Sequence, residues 1–479
     1  QKDDGMATLW ISDYGAIGDG IQDDTEAFES AIEDIAKNGG GRLVVGGGTR
    51  QEAPRIYRIR PINLTSHMEL YVESGAMLQG IANASLWPII PALPSYGQGR
   101  DHPGPRHTSL LHGENLINVT IRGQDSANSI IDGQGFYWWQ RFQSKTEQYT
   151  RGSLIEFLYS SHIAIYDIQL TNSPFWTVHP YDCNHVHVRN VHIHNPHHSP
   201  NTDGFDPDSS RHVLIEDSSY IGGDDCVAIK SGWDCFGMDY DKPCAHVHLR
   251  NLTCWAGQIA LGSEVSGGIE HVWGEDIYFP GQAWHAVKLK TGTSRGGYIQ
   301  NITFRNIDVT GNLQSSVLTI DTTLYSSSTG KNPSCPKNWM PPSPTSIEHL
   351  VFENWNGMAS NVSGSNMFVF RGMSSENPIR HVMLRDLHFP DLVENTSLSW
   401  LCENITNVTA VNGTITPWPP CEAVTVVNPV SDAFFLLRSP SHDAHTFAFD
   451  LLQCLSFLLL ASLMLLLAIR CRDLSLYRF

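Results

Sequence analysis

Along most of the chain, apolar and polar residues alternate in runs too short for helices, and each run opens on a polar leader. "NVTIRG" begins at Asn118, "HIAIYDIQL" at His162, "HVHVRNVHI" at His185 and "HVLIEDSS" at His212. The series continues with "HVHLRNLTC" at His246, "HVWGEDIYF" at His271, "NITFRNIDV" at Asn301, "HLVFENWNG" at His349 and "HVMLRDLHF" at His381. Successive leaders are 44, 23, 27, 34, 25, 30, 48 and 32 residues apart, two of these steps being double or enlarged. Period-two alternation predicts strands. Recurrence at roughly 20 to 35 residues, with no amphipathic helix between the runs, predicts a solenoid. A sandwich would turn back in a hairpin every 8–12 residues or so. The expected fold is therefore all-β, a parallel β-helix. One segment breaks the pattern: "DDTEAFESAIEDIAKNGGG" places Ala27, Phe28, Ala31, Ile32 and Ile35 at helical spacing, with an acidic first turn and a glycine stop. It predicts a short N-terminal helix capping the first coil.

The C-terminus follows another rule. Leu451 to Ile469 is an uncharged apolar stretch preceded by Asp450 and followed by Arg470 and Arg472. Its length suits a transmembrane helix, and the flanking arginines predict the long domain outside. The expected organisation is a β-helix over 1–390, a sequon-rich stalk over 391–450, a membrane span over 451–469 and a short cytosolic tail over 470–479.

Composition narrows the partners. Charged residues make up 17% of the 479 and the net charge is -18, so no basic face is evident for nucleic acid. Asn-x-Ser/Thr sequons start at Asn63, Asn83, Asn118, Asn251, Asn301, Asn361, Asn395, Asn404, Asn407 and Asn412. Eight cysteines precede the apolar tail, an even number that fits disulfides in an oxidising compartment. Cys235–Cys244 and Cys226–Cys254 are the expected pairs, and a secreted or membrane-tethered monomer is the expected form.

The chemistry concentrates in "NTDGFDPD", which begins at Asn201, and in "GGDDC" around Asp224. Measured from the coil leaders, His179, Asp203, Asp225 and Lys288 fall at similar offsets, which predicts one groove holding His179, Asp203, Asp224, Asp225, Lys288 and Lys290. Glycoside hydrolysis needs such a set, with one carboxylic acid to protonate the leaving oxygen and another carboxylate to act on water or sugar. Crowding raises the pKa of one member, making it a proton donor. Lys288, Lys290 and Arg295 suit an anionic sugar. On the residues alone a calcium site or a solvated turn stays open, although the EF-hand glycine and terminal glutamate are missing. Trp138, Trp139, Trp176 and Trp284 are stacking or core candidates, and Glu264 either shapes a subsite or satisfies a turn. A metal role for the His192 to His198 cluster finds no supporting spacing.

"SPNTDGFDPDSS", "IGGDDCVAIKSGWD", "VKLKTGTSRGG" and "DYGAIGDGIQDDTEAF" together resemble glycoside hydrolase family 28, the polygalacturonases, and most of all its plant and bacterial exo-type branch. The likeness runs from about Ile11 to Pro390. It implies a right-handed parallel β-helix and cofactor-free, metal-free, inverting hydrolysis of α-1,4-galacturonosyl bonds in pectic polysaccharide. Carried over, Asp224 is the general acid, Asp203 and Asp225 hold and activate water, and an inverting pair leaves a gap of roughly 6.5–9.5 Å for it. Lys288, Lys290, Asn201, His179 and Arg295 are the expected substrate contacts. Two positions depart from the family pattern. Lys288-Leu289-Lys290 replaces Arg-Ile-Lys, losing the bidentate guanidinium, and Ala256-Gly257-Gln258 stands where Gly-His-Gly is expected. These departures motivate a rival expectation, a pectin-binding protein without catalysis; rhamnogalacturonan as substrate and lyase chemistry are the others.

Overall fold

The computed structural model describes residues 6–48, 54–324, 330–358, 362–364, 366–390, 399–421 and 424–428. Its compact unit is Gln1–Val426. The expected membrane span and cytosolic tail, and the stalk from 429 onward, lie outside the described residues. No helix among the described residues is long and apolar enough to cross a membrane.

The chain forms a right-handed parallel β-helix. Each coil contributes a long bent strand and a short straight one, and each pairs in parallel with its counterpart a coil away. The bent strands include Ser161–Thr171, Asn184–His194, Arg211–Ile221, Cys244–Cys254 and Ile269–Phe279. The bend has a chemical cause. In the coil Asn184–His194, Val186, Val188, Val191 and Ile193 are buried, so the inward phase jumps by three residues at Asn190. Asn190 has a left-handed φ of 53°, which turns the corner and returns the next apolar residue to the core. Asn and Asp tolerate this conformation better than other non-glycine residues. Equivalent corners fall at Asp167, Asp217, Asn251, Asp276, Asn306, Asn354 and Asp386, all at positive φ. They form a ladder in which Asn190 donates to Asp167 at 2.9 Å, Asn251 to Asp217 at 2.7 Å and Asn306 to Asp276 at 2.7 Å.

The repeat leaders form a second ladder, likewise at positive φ. The rings of His162, His185, His212, His246 and His271 stack in sequence, with centroids 4.9, 5.0, 5.0 and 4.9 Å apart. Asn118, Asn301 and Asn407 take the same left-handed conformation as the histidine leaders, and Asn251 belongs to the corner ladder. Their sequons thus arise from a corner asparagine followed two residues later by an outward threonine.

The cap helix is Thr25–Lys37, with Ala27, Phe28, Ala31, Ile32 and Ile35 buried as its spacing predicts. Two further helices, Gly135–Gln143 and Asp234–Tyr240, occupy loops between coils. The solenoid does not stop at 390: Ser399–Glu403 pairs with Asn366–Arg371, and Ile405–Val411 pairs with Ile379–His388. Part of the expected stalk is therefore the last coil. Cys226–Cys254 is bonded as expected, but Cys235 bonds to Cys335, and Cys402 to Cys421. Cys244 cannot reach Cys235 because it begins a core strand and faces inward, fully buried and unpaired.

Candidate active site

The short strands place the site. Ile155–Leu158 pairs with Val178–Tyr181. Bridges then run from Val178 to Phe205 and on to Val227, and from Tyr181 to Asp208 and on to Lys230. Val227–Ile229 continues to Ile259–Leu261, which pairs with Val287–Leu289. Because Phe205 pairs with Val227, Asp203 and Asp225 occupy the same place on adjacent coils, as the spacing predicted. His179 does not join them. The same register sets it against Asp206, not Asp203, because the strand pairs three residues later than the leader offset implied.

One oxygen from each of Asp203, Asp224 and Asp225 lies within 4.8 Å of the others. That is closer than the gap expected between an acid and a water-activating base. Asp203 and Asp225 are buried, whereas Asp224 is half-exposed. Burial first, then the carboxylates of Asp203 and Asp225, push the Asp224 pKa well above the ordinary range. Asp203 is also raised by burial and by Asp225, against the opposing pull of Lys230. Asp225 is clamped at both oxygens: Gln258 Nε2 donates to Oδ1 at 2.7 Å, and Lys290 Nζ donates to Oδ2 at 2.9 Å. Gly257 thus stands at the family's missing histidine position, and the next residue, Gln258, supplies a buried amide that grips a carboxylate. Gly257 beside it has φ of 74°, and a Cβ there would sit 2.1 Å from the Asp224 carbonyl oxygen, so only glycine lets the two coils approach.

Lys288 is half-exposed on this face. Burial and the neighbouring Lys290 charge lower its pKa. His285 is buried against Ser316 and Thr319, at 3.0 and 3.2 Å. Burial and then Lys288 drive its pKa down to about 3, so it stays neutral.

The remaining expected contacts sit elsewhere. Arg295 is 1% exposed and bonds Asp234 together with the carbonyls of Ser263 and Gly330. It ties loops together, since the turn between the strands Gln282–Lys290 and Tyr298–Val309 brings it against the helix Asp234–Tyr240. His179 is likewise buried, held by Glu156 at 2.9 Å and Asp208 at 3.5 Å. Burial lowers the His179 pKa, but those two carboxylates reverse the effect and raise it. Asn201 turns its Oδ1 to Arg151 at 2.9 Å. Trp138, Trp139 and Trp176 are buried, and Trp284 is exposed. Glu264 accepts from Arg100 at 2.8 Å.

Sequence reasoning missed a wall. The segment from Leu93 to Arg106 lies over the coils that precede Asp203 and lines a small, partly open pocket. Arg100, Arg106, Arg151, Glu156, Trp176 and His179 are among its lining residues. Arg106 grips both Glu156 oxygens at 2.8 Å, yet its buried Nε has no hydrogen-bond partner. The segment is tied down by Asn332, which donates to the Tyr96 carbonyl at 2.7 Å, and by Ser334, which donates to Gln98 at 2.7 Å. Cys335, next in the chain, bonds to Cys235.

Comparison with known proteins places this geometry. The profile of glycosyl hydrolases family 28 matches residues 61–409. A "Probable polygalacturonase" of Vitis vinifera is 37% identical over 424 residues, spanning 85% of this chain and 79% of that relative. Another, from Arabidopsis thaliana, is 26% identical and spans 79% and 73%. Among solved structures, an exopolygalacturonase of Thermotoga maritima superposes with a TM-score of 0.69 at 24% identity, covering 84% of this chain and 91% of that one. A polygalacturonase of Erwinia carotovora gives 0.64 at 20%, covering 84% and 96%. These two structural likenesses establish the β-helix, and the profile and the Vitis relative establish the lineage. The chain belongs to the family 28 glycosyl hydrolases and is a glycoside hydrolase of the polygalacturonase type.

Proposed function

We propose that the protein hydrolyses pectic galacturonan outside the cell, with Asp224 as general acid and Asp203 and Asp225 as the carboxylates that hold and activate water. The observation that carries this is the contrast among three converging carboxylates. Asp224, pushed well above the ordinary carboxylate range by burial and by Asp203 and Asp225, is the accessible one, whereas Asp225 accepts from an ammonium and an amide. Asp224 gives its proton to the glycosidic oxygen as the C1–O bond breaks. Water then bonds to C1 and yields its proton to Asp203 or Asp225. Lys288 and Lys290 face the substrate carboxylate as positive charges without a guanidinium's fork. The carboxylate oxygens are near enough to chelate a cation, but Lys290 and Lys230 already contact Asp225 and Asp203 and supply the compensating charge.

The pocket under Leu93 to Arg106 supports attack at a chain end. On the side preceding Asp203 the face is covered, with Glu156 and His179 each 1% exposed, so a long polymer has no path across it. The acid/base set favours hydrolysis over binding without catalysis, since a binder has no use for an Asp224 carboxyl pushed well above the ordinary range. The test is direct. Purified protein should release reducing ends from polygalacturonate at acidic pH, with monogalacturonate as first product, and Asp224→Asn should lower kcat by at least about a hundredfold. Proton NMR of the first-formed anomer decides between inversion and retention, which the short carboxylate spacing makes necessary. Binding without release, unchanged in Asp224→Asn, refutes the proposal.

A further inference from the structure

Lys230 follows the strand Val227–Ile229 and bridges to Asp208 on the preceding coil. Its ammonium stands 3.3 Å from Asp206 Oδ1, 3.5 Å from Asp203 Oδ2 and 4.6 Å from the centre of the Trp176 ring. Its side chain is only 5% exposed. Carboxylates on one side and an aromatic face on the other leave it no route to a substrate.

The charge arithmetic gives this residue its importance. Asp203, Asp206, Asp224 and Asp225 crowd one small volume, and among the described residues Lys230 and Lys290 form ion pairs with them. A buried charge is costly unless paired and hydrogen-bonded. Asp225 has two donors of its own. Asp203 is poorer: its Oδ1 is buried and accepts no hydrogen bond among the described residues, and its Oδ2 faces Lys230. Neither oxygen of Asp206 accepts a hydrogen bond among the described residues, and burial pushes its pKa well above the ordinary range. Lys230 thus stands between two carboxylates, of which Asp203 is the one that belongs to the converging trio. Burial would pull the Lys230 pKa down, but Asp206 and Asp203 more than reverse that, so the ammonium is permanent.

We propose that Lys230 is a positioning residue for Asp203, a solvent-excluded cation that keeps this carboxylate ionised and aimed at the water it activates. The inference rests on the hydrolytic reading above and adds to it the group that fixes the acidic limit of activity. In that mechanism the low-pH limb of kcat/KM reports loss of charge on the water-activating carboxylates, since a protonated Asp203 cannot accept the proton of the attacking water.

The test is the pH profile of kcat/KM on a galacturonate oligomer for wild type, Lys230→Met and the double variant Lys230→Met/Asp206→Asn. Methionine keeps the chain length and removes the charge; the double variant also removes the carboxyl group most exposed to losing its partner, should the single variant fold poorly. Both variants should move the acid limb upward by at least about one unit, a tenfold loss at any pH on that limb. KM should stay within a few fold of wild type, since Lys230 has no route to the substrate. An unmoved limb with a uniformly lowered plateau would assign Lys230 to packing, and an unmoved limb with a raised KM would assign it to substrate; either overturns the proposal. An inert wild type removes the hydrolytic reading and this inference with it, whereas an active wild type with an unmoved limb removes this inference alone.

Discussion

Replacing both Cys235 and Cys335 with serine should loosen the wall of the pocket and change the product pattern. The bond joins the helix Asp234–Tyr240 to a segment 100 residues later. In the chain-entropy account, closing a loop of that length stabilises by about 4.7 kcal/mol, against about 3.2 kcal/mol for the 19-residue Cys402–Cys421 loop. The native contacts that remain on this strap, residues 330–335, include Asn332 to the Asp234 carboxylate at 2.7 Å, to the Tyr96 carbonyl at 2.7 Å and to the Trp233 carbonyl at 3.4 Å, Ser334 to Gln98 at 2.7 Å, and the Gly330 carbonyl accepting from Trp233 at 3.2 Å and Arg295 at 2.8 Å. At roughly 1 kcal/mol net each, these bonds together are about the size of the lost constraint, and none of them closes the loop covalently. The strap should therefore open locally before the solenoid unfolds. Guanidinium unfolding followed by tryptophan fluorescence should show a loss of several kcal/mol, and limited proteolysis should cut near residue 335 first. If the strap walls the chain-end pocket, digestion of polygalacturonate by the variant should yield oligomers as well as monomer. A stability loss below about 1 kcal/mol together with an unchanged product pattern would refute the reasoning.

The other predictions concern charge. Gln258→Leu removes one of the two donors to Asp225, and a hydrogen bond to a charged group is worth about 1.5–3 kcal/mol. kcat should then fall by about tenfold or more, and a kcat identical to wild type would show that Asp225 does not depend on the amide. The imidazole ladder should make the fold acid-sensitive. His185 is held below its ordinary pKa by burial and by His212 and His162. His246 is held down by burial, His271 and His212, with Glu270 opposing and Arg211 assisting. A depressed histidine pKa means that the folded state resists protonation. The stability is present above about pH 6.5, the unfolded value, and is lost as pH falls through the lower folded values. Thermal melting from pH 7 to pH 5 should show this drop, and His212→Asn, which copies the rung at Asn301, should shrink it. An equal drop in wild type and variant would rule the ladder out as the cause.

The solenoid was legible because its corners have a restricted chemistry. Left-handed φ at two positions per coil admits His, Asn and Asp, so the leaders and the residues five positions later mark the sequence as plainly as the alternation between them. The pairing of Asp203 with Asp225 was legible for the same reason, since "NTDGF" and "GGDDCV" enter their strands at one register. What stayed hidden lies where the repeat is interrupted. The wall from Leu93 to Arg106 precedes the first repeat leader, Asn118, and Cys335 falls in the 48-residue step between Asn301 and His349. A segment without a leader has no azimuth on the solenoid, so neither the disulfide nor the arginine pocket follows from spacing. The error over Cys244 has a related origin: proximity in sequence says nothing about which side of a strand a thiol faces, and Cys244 faces the core.

Lys230 is a different kind of omission, because its signal was present. Asp203 to Asp208 and Asp225 to Lys230 are both five-residue steps, so whatever stacks Asp225 on Asp203 must also stack Lys230 on Asp208, as the bridges show. A cation one coil above a carboxylate, five residues beyond the catalytic pair, belongs to the site by register alone. The same register explains why four aspartates can share so small a volume. Two outward columns run up the sheet there, and the second carries Asp208, Lys230 and Lys290 in sequence beside the column of Asp206 and Lys288. Ammoniums rising from that second column reach across to Asp203 and to Asp225. Lys230 thus opposes the rise at Asp203, while burial carries Asp224 and Asp206 well above the ordinary range. A base that stays ionised beside an acid that stays protonated is what hydrolysis at mildly acidic pH requires. In this chain that state is set by which residues the coil repeat stacks, more than by the aspartates themselves.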